Sequence, residues 1–268
     1  LMGVDRLRSM FAATRAEGRA AFLPYLTVGL PSPADSVALF EAMASAGADG
    51  FEVGIPYSDP LMDGPIIQQG SERALAAGTT LDVAVGLLGK VVASTSVPSL
   101  AMTYVNPVFR RGVDAFCGSL ADAGADGIIV PDLPVNEAGP VLRAAERHGL
   151  GTVLFVAPTS DDARIRAVAE ADPVFVYAVA EMGVTGERGE ASSHVASLAE
   201  RIRAFTDAPI VFGVGISTPE QARAAAQVGD GVIVGTALVR RVLEAANPSD
   251  AASALTAAVG EISAALRT

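Results

Sequence analysis

The sequence predicts an α/β protein built as a closed (β/α)8 barrel, and three observations carry that reading. Short β-branched or aromatic runs alternate with longer Ala-, Leu-, Arg- and Glu-rich amphipathic segments from one end of the chain to the other. The runs of strand character number eight, and each intervening segment is long enough to cross over a parallel sheet. The joints also repeat: Ala46-Gly47-Ala48-Asp49-Gly50, Ala123-Gly124-Ala125-Asp126-Gly127 and Val228-Gly229-Asp230-Gly231 each lead from a helix tail into an apolar run. Glycine just past a helix relieves the left-handed conformation that a helix end demands.

In order, the expected strands are residues 22–28, 50–53, 99–104, 127–130, 151–156, 174–178, 210–212 and 231–234. Helical periodicity covers 33–46, 81–93, 114–123, 135–147, 163–171, 194–205, 219–227 and 238–246. Beyond the eight units there is an extra N-terminal helix over 4–17, a long segment at 54–78 after the second strand, a long loop after the sixth, and a terminal helix over 250–266. No Pro/Gly/Ser-rich linker divides the chain, so residues 1–268 are expected to form a single barrel domain. An open doubly wound sheet is the alternative; its dinucleotide-binding form would need a strand-Gly-x-Gly-x-x-Gly-helix fingerprint that does not occur.

Half of the 268 residues are hydrophobic and 18% charged, enough apolar material for a large core. Asp and Glu outnumber Lys and Arg by 30 to 19, a net charge of -11 that argues against nucleic acid as a partner. Cys117 stands alone and the histidines are only His148 and His194, so neither an intrachain disulfide nor a structural zinc site is expected. That favours a reducing, cytoplasmic address. Asp5, Arg6 and Arg8 interrupt the first residues, so no signal peptide is expected, and Leu1 ahead of Met2 reads as a cloning remnant. No continuous apolar run reaches the ~20 residues of a membrane span, so no membrane association is expected.

In such a barrel, reactive groups project from the C-terminal ends of the strands and the loops that follow. Glu52 sits in Phe51-Glu52-Val53-Gly54 among apolar neighbours, where burial would raise its pKa toward the range useful for proton donation. A structural glutamate satisfied by backbone amides is the competing reading. Asp63 follows in a loop stiffened by Pro56, Pro60 and Pro65 and could be carried back over the mouth toward Glu52. Alternatively, Asp59 or Asp63 caps the helix beginning near Pro65.

Glycines cluster late in the chain. Gly213-Val214-Gly215-Ile216-Ser217 follows the seventh strand, Gly235-Thr236-Ala237 the eighth, and Gly183-Val184-Thr185-Gly186 the sixth. Loops after strands seven and eight offer bare N–H groups and a helix N-terminus to a phosphate, and such a clamp works even in an acidic protein. Three unrelated tight turns are the alternative.

Lys90, the only lysine, lies in a helical segment, so no strand end supplies an amine for a Schiff base or for covalently held pyridoxal phosphate. No bound cofactor is expected. His148 follows a helix and His194 is expected to begin one, both as surface residues.

The segments EVGIPYSDPLMDGP, GVTG, GVGIST and VGTA, in this order, resemble the tryptophan synthase alpha subunit family along essentially the whole chain. The resemblance implies a TIM barrel and a lyase that splits indole-3-glycerol phosphate into indole and glyceraldehyde 3-phosphate. It implies Glu52 as general acid–base and Asp63 as a second carboxylate near the indole N–H. It also implies phosphate contacts from Gly186, Gly215, Gly235 and Thr236, and a hydrogen bond from Thr185 to Asp63 when the loops close. Tyr25, Met102, Tyr104, Ile129, Val156, Tyr177 and Val214 would line the indole end; at Tyr25 and Val214 family members often carry phenylalanine. The implied partner is a pyridoxal-phosphate beta subunit in an α2β2 heterotetramer, faced by loops holding Asp59, Pro60 and Asn106.

Two other readings use the same residues. A phosphosugar isomerase or epimerase could use the barrel, the glycine loops and one strand-end glutamate, although it does not call for the pair Glu52 and Asp63. A weakly catalytic subunit whose main role is to activate a partner enzyme is the third.

Overall fold

The computed structural model describes residues 3–179, 188–213 and 215–267, and among these eight parallel strands close in sequence order, β1 pairing with β8. The strands are β1 (Ala21–Thr27), β2 (Phe51–Gly54), β3 (Ser99–Met102), β4 (Gly127–Ile129), β5 (Gly151–Val156), β6 (Phe175–Ala178), β7 (Ile210–Phe212) and β8 (Gly231–Val234). Almost every strand residue is buried, because a parallel barrel has side chains filling its inside and helices covering its outside. The closed order excludes the open doubly wound sheet.

Helix α1 (Gly3–Ala16) sets Leu7, Met10 and Phe11 under the N-terminal end of the barrel, with the Phe11 ring edge-on to Phe175. Around the outside follow α2 (Ser36–Ser45), α3 (Pro65–Ala76), α4 (Leu81–Thr95), α5 (Val105–Arg111), α6 (Val113–Asp122), α7 (Gly139–Arg147), α8 (Asp162–Glu170), α9 (Arg188–Arg203), α10 (Pro219–Ala226) and α11 (Thr236–Glu244), and α12 (Pro248–Leu266) lies against α2, α10 and α11. Local chemistry starts several of them: Thr80 caps α4, Asp161 caps α8, Asn247 caps α12, and Thr218 with Gln221 forms a reciprocal capping box on α10. No single helix among the described residues is long and apolar enough to cross a membrane.

The repeated joints have a common function. Asp49, Asp126 and Asp230 each turn a carboxylate onto the backbone N–H at or near the start of a strand: Phe22 at 2.8 Å, Ser99 at 2.7 Å and Ile210 at 2.8 Å. Each also pairs with arginine, Asp49 with Arg19 through two bonds of 2.7 and 2.8 Å, Asp126 with Arg6, and Asp230 with Arg15 and Arg203. These charge-assisted bonds pin the N-terminal end of the barrel, the face that serves stability.

The differences from the sequence reading lie at element ends. The third strand stops at Met102 because Tyr104 already stands at the N-cap position of α5, a helix absent from the sequence reading; Asn106 therefore sits on a helix and not in a loop. The segment 135–147 divides into a 3-10 turn, Val135–Glu137, and α7, since Pro140 has no N–H to continue a helix and instead opens a new one. The start of α2 moves to Ser36 because Ser32 donates to Asp35 at 2.6 Å and holds a turn there. α9 begins at Arg188, so His194 lies within it and does not begin it.

Candidate active site

Strand β2 sets Glu52 in register with Tyr25 on β1 and Leu100 on β3. Its side chain enters a cavity of about 550 Å³ at the C-terminal end of the barrel. Glu52 is only 4% exposed, and its Oε2 has no hydrogen-bond partner. The backbone-satisfied structural glutamate is therefore not what is found. Burial first, then the nearby charge of Asp63, pushes the Glu52 carboxyl up to about 8. At neutral pH it holds its proton.

Asp63 lines the same cavity. The loop from β2 turns back through a hydrogen bond of the Asp63 N–H to the Pro60 carbonyl, 3.0 Å, and Gln68 Nε2 donates to the Asp63 carbonyl at 2.9 Å. Gly64, not Asp63, stands at the N-cap of α3, which has no side-chain cap. The carboxylate instead faces the Tyr104 hydroxyl, which accepts from the Met62 N–H at 3.2 Å. Burial raises Asp63 to about 6, with the nearby Tyr104 hydroxyl opposing the rise. Two carboxyls in one cavity thus titrate apart, one an acid and the other an anion near neutrality.

Tyrosines surround this pair. Tyr25 and Tyr177 are buried on the cavity wall, and burial together with the carboxylates holds both phenols well above their ordinary value. The Tyr25 and Thr27 hydroxyls lie 3.2 Å apart. Their neighbours must be small. A Cβ on Gly54 would come within 2.6 Å of the Tyr25 Cζ, and one on Gly213 within 2.6 Å of the Tyr177 Cε1.

Met102 and Ile129 also line the cavity. Tyr104 stands behind the wall, 2% exposed, stacked on Tyr57 with ring centroids 5.4 Å apart and acting through Met62 and Asp63. Val156 is a correction: it is fully buried off the wall, and Phe155 lines the cavity instead, stacked on Tyr177 at 4.8 Å. Side chains alternate along a strand, so one residue of register exchanges wall for exterior.

Across the cavity, Gly215 and the Gly235-Thr236 pair reach the wall. Gly215 has φ of 75°, the left-handed region that favours glycine. Leu238 and Val239 make the first bonds of α11, both to the Gly235 carbonyl, so the N–H groups of Thr236 and Ala237 precede the helical ladder. Without a partner among the described residues, these donors and the helix dipole are suited to an anion. Thr185, Gly186 and Val214, with Gly183 and Val184, lie outside the described residues.

Sequence reasoning missed Phe155, Thr159, Ser160 and Arg164 on the wall. Phe155 could have been found from strand alternation; the other three follow β5 and α8's start without a motif. Among the described residues no cluster of three or more His, Cys, Asp or Glu could hold a metal ion.

Residues 11–267 match the family described as "Tryptophan synthase alpha chain". The tryptophan synthase alpha chain of Salinispora tropica is 45% identical over 265 residues, 99% of each chain, and that of Thermobifida fusca 43% over 264 residues, 97% of each. A solved tryptophan synthase chain from Mycobacterium tuberculosis superposes with a TM-score of 0.88 at 41% identity, covering 98% of both chains. The alpha subunit from Legionella pneumophila gives 0.89 at 31% identity, with 99% of this chain and 98% of that one covered. A match running through nearly the whole sequence, at this identity and with the same barrel, has one consequence: the chain belongs to the tryptophan synthase alpha chain family.

Proposed function

We propose that Glu52 and Asp63 divide the proton chemistry of the family's alpha reaction, which cleaves indole-3-glycerol phosphate to indole and glyceraldehyde 3-phosphate. The chain is a carbon–carbon lyase of tryptophan biosynthesis. Breaking the bond at indole C3 requires a proton on that carbon, and the Glu52 carboxyl, still protonated at neutral pH, is the donor. The resulting indolenine is cationic at its ring nitrogen, where the ionised Asp63 provides the opposing charge. The deprotonated Glu52 then takes the proton of the side-chain hydroxyl as the aldehyde forms. The observation that carries this division is the pair of raised but separated carboxyls in one cavity.

Tyr25, Met102, Ile129, Phe155 and Tyr177 give the indole an apolar seat, while Gly215, Gly235 and Thr236 take the phosphate. Thr185, Gly186 and Val214 retain the roles that the family resemblance implies. The paired carboxylates favour this over an isomerase using one glutamate. Glu52→Gln tests it: cleavage is lost while glyceraldehyde 3-phosphate still binds, and full turnover would refute the assignment.

Members of this family work with a beta subunit. We propose an α2β2 heterotetramer here, docked through the loop after β2 and through α5. Leu61, Met62 and Phe109 are large apolar side chains left 87%, 64% and 52% exposed there, beside exposed Asp59, and Asn106 ties the two segments by donating to the Tyr57 hydroxyl at 2.9 Å. Equimolar beta subunit that neither comigrates with the chain nor changes its rate would refute this. We further propose that the chain acts as one barrel domain, supported by its continuous core, in the reducing cytoplasm, where the buried Cys117 remains a thiol.

A further inference from the structure

Arg164 stands on the first turn of α8, where its backbone N–H donates to the Asp161 carboxylate at 2.8 Å, and it lines the active cavity. Among the described residues on that wall it is the only basic one, opposite two acids. It also borders a side chamber of about 130 Å³ with Pro131, Asp132, Leu133 and Phe155. The neighbouring acids are engaged elsewhere: Asp132 accepts from the Val105 N–H at 2.8 Å, Asp161 caps the helix, and Asp162 pairs with Arg201 at 3.0 Å. The Arg164 guanidinium itself, half-buried, makes no hydrogen bond or ion pair among the described residues.

A half-buried guanidinium with no partner has lost hydration without compensation inside the chain. The substrate carries the missing group, a phosphate dianion. Among the described residues Gly215, Gly235 and Thr236 offer it neutral donors, and the net charge of -11 opposes its approach. One cation between low-dielectric walls makes the local potential more favourable to the entering phosphate. In the closed strand order Arg164 follows β5, two strands from β7 and three from β8, so it lies away from the phosphate seat and is suited to capture.

We propose that Arg164 is a substrate-recruiting residue whose guanidinium draws the phosphate into the cavity before the phosphate settles on the glycine loops. It acts on substrate association and not on bond cleavage. The inference rests on the phosphate seat and the two-carboxylate reading above.

The test is steady-state cleavage of indole-3-glycerol phosphate by wild type, Arg164→Gln and Arg164→Lys, each as the isolated chain and with beta subunit, at low and high salt. Arg164→Gln is expected to raise KM about three- to tenfold with kcat within about twofold, and to flatten the salt dependence of kcat/KM. Arg164→Lys should recover most of the loss, and competitive inhibition by inorganic phosphate should weaken in Arg164→Gln by a similar factor. Unchanged KM and salt slope would overturn the proposal. So would a fall in kcat accompanied by a lower Tm, which is a structural effect, or weakened beta-subunit binding with normal kinetics of the isolated chain, which would assign the guanidinium to docking. Glu52→Gln run in parallel separates the two readings. If it keeps full turnover, the carboxylate assignment fails; if it is inactive and Arg164→Gln is normal, only the recruitment fails.

Discussion

Replacing Glu52 by Gln should remove cleavage and, above acid pH, make the fold more stable. The carboxyl is buried with an unpartnered Oε2 and its pKa is raised from 4.5 to about 8. In the unfolded chain the same group ionises near its ordinary value, so between these pH values the native state holds a proton that the unfolded state releases. The native state binds more protons, so stability falls as pH rises. The favourable contribution is complete below about 4.5 and is lost as pH climbs to about 8. At pH 7 the difference amounts to about 3 kcal/mol of destabilisation, from ~2.5 pH units at ~1.4 kcal/mol each. A neutral amide of the same shape avoids this, less whatever its own unpartnered N–H groups cost. Urea unfolding of both proteins at about pH 5 and about pH 8 reads the effect as a variant-minus-wild-type difference that grows with pH. A difference independent of pH would refute the claim that Glu52 is a proton-holding buried carboxyl.

Other expectations follow from the same geometry. The profile of kcat/KM against pH should be bell-shaped, rising as Asp63 ionises near 6 and falling as Glu52 loses its proton near 8; Asp63→Asn should erase the acid limb and lower the basic one. Tyr104→Phe removes the hydroxyl that holds the Met62 N–H and faces Asp63 and should cost about 10-fold or more in kcat/KM with little change in Tm. Gly213→Ala drives a methyl into the Tyr177 ring and should impair cleavage, read as indole release, more than Gly64→Ala, whose Cβ meets nothing within 4 Å. Phe155→Ala should raise KM by losing indole contact, whereas Val156→Ala should lower Tm without that change.

The barrel was legible because each strand is a buried apolar run and each helix an amphipathic one, and the glycine-aspartate joints marked where one became the other. What those joints do was not legible: the bonds from Asp126 to Ser99 and Arg6 span 27 and 120 residues and exist only once the barrel closes. α5 escaped because a seven-residue helix containing Pro107 shows too little periodicity and has no side-chain cap. Asp63 shows why local rules stop at a site. A residue just before a proline-led helix is a good cap by spacing, yet the carboxylate faces Tyr104, distant in sequence, and leaves the cap empty. Phe155 and Val156 differ by a single step of strand alternation, which family resemblance alone did not supply. Arg164 belongs to no motif; its interest comes from the absence of a partner among the described residues, which only side-chain positions reveal.

The most direct test is titration of the Glu52 carboxyl carbon by 13C NMR, with Glu52→Gln to assign the resonance and Asp63→Asn to remove the neighbouring charge. The expected pKa is about 8, shifting downward in Asp63→Asn but staying above the ordinary value, because burial is the larger cause. A wild-type value near 4.5 would contradict the account, since Glu52 would then be an anion at neutral pH with no proton to deliver to the indole ring.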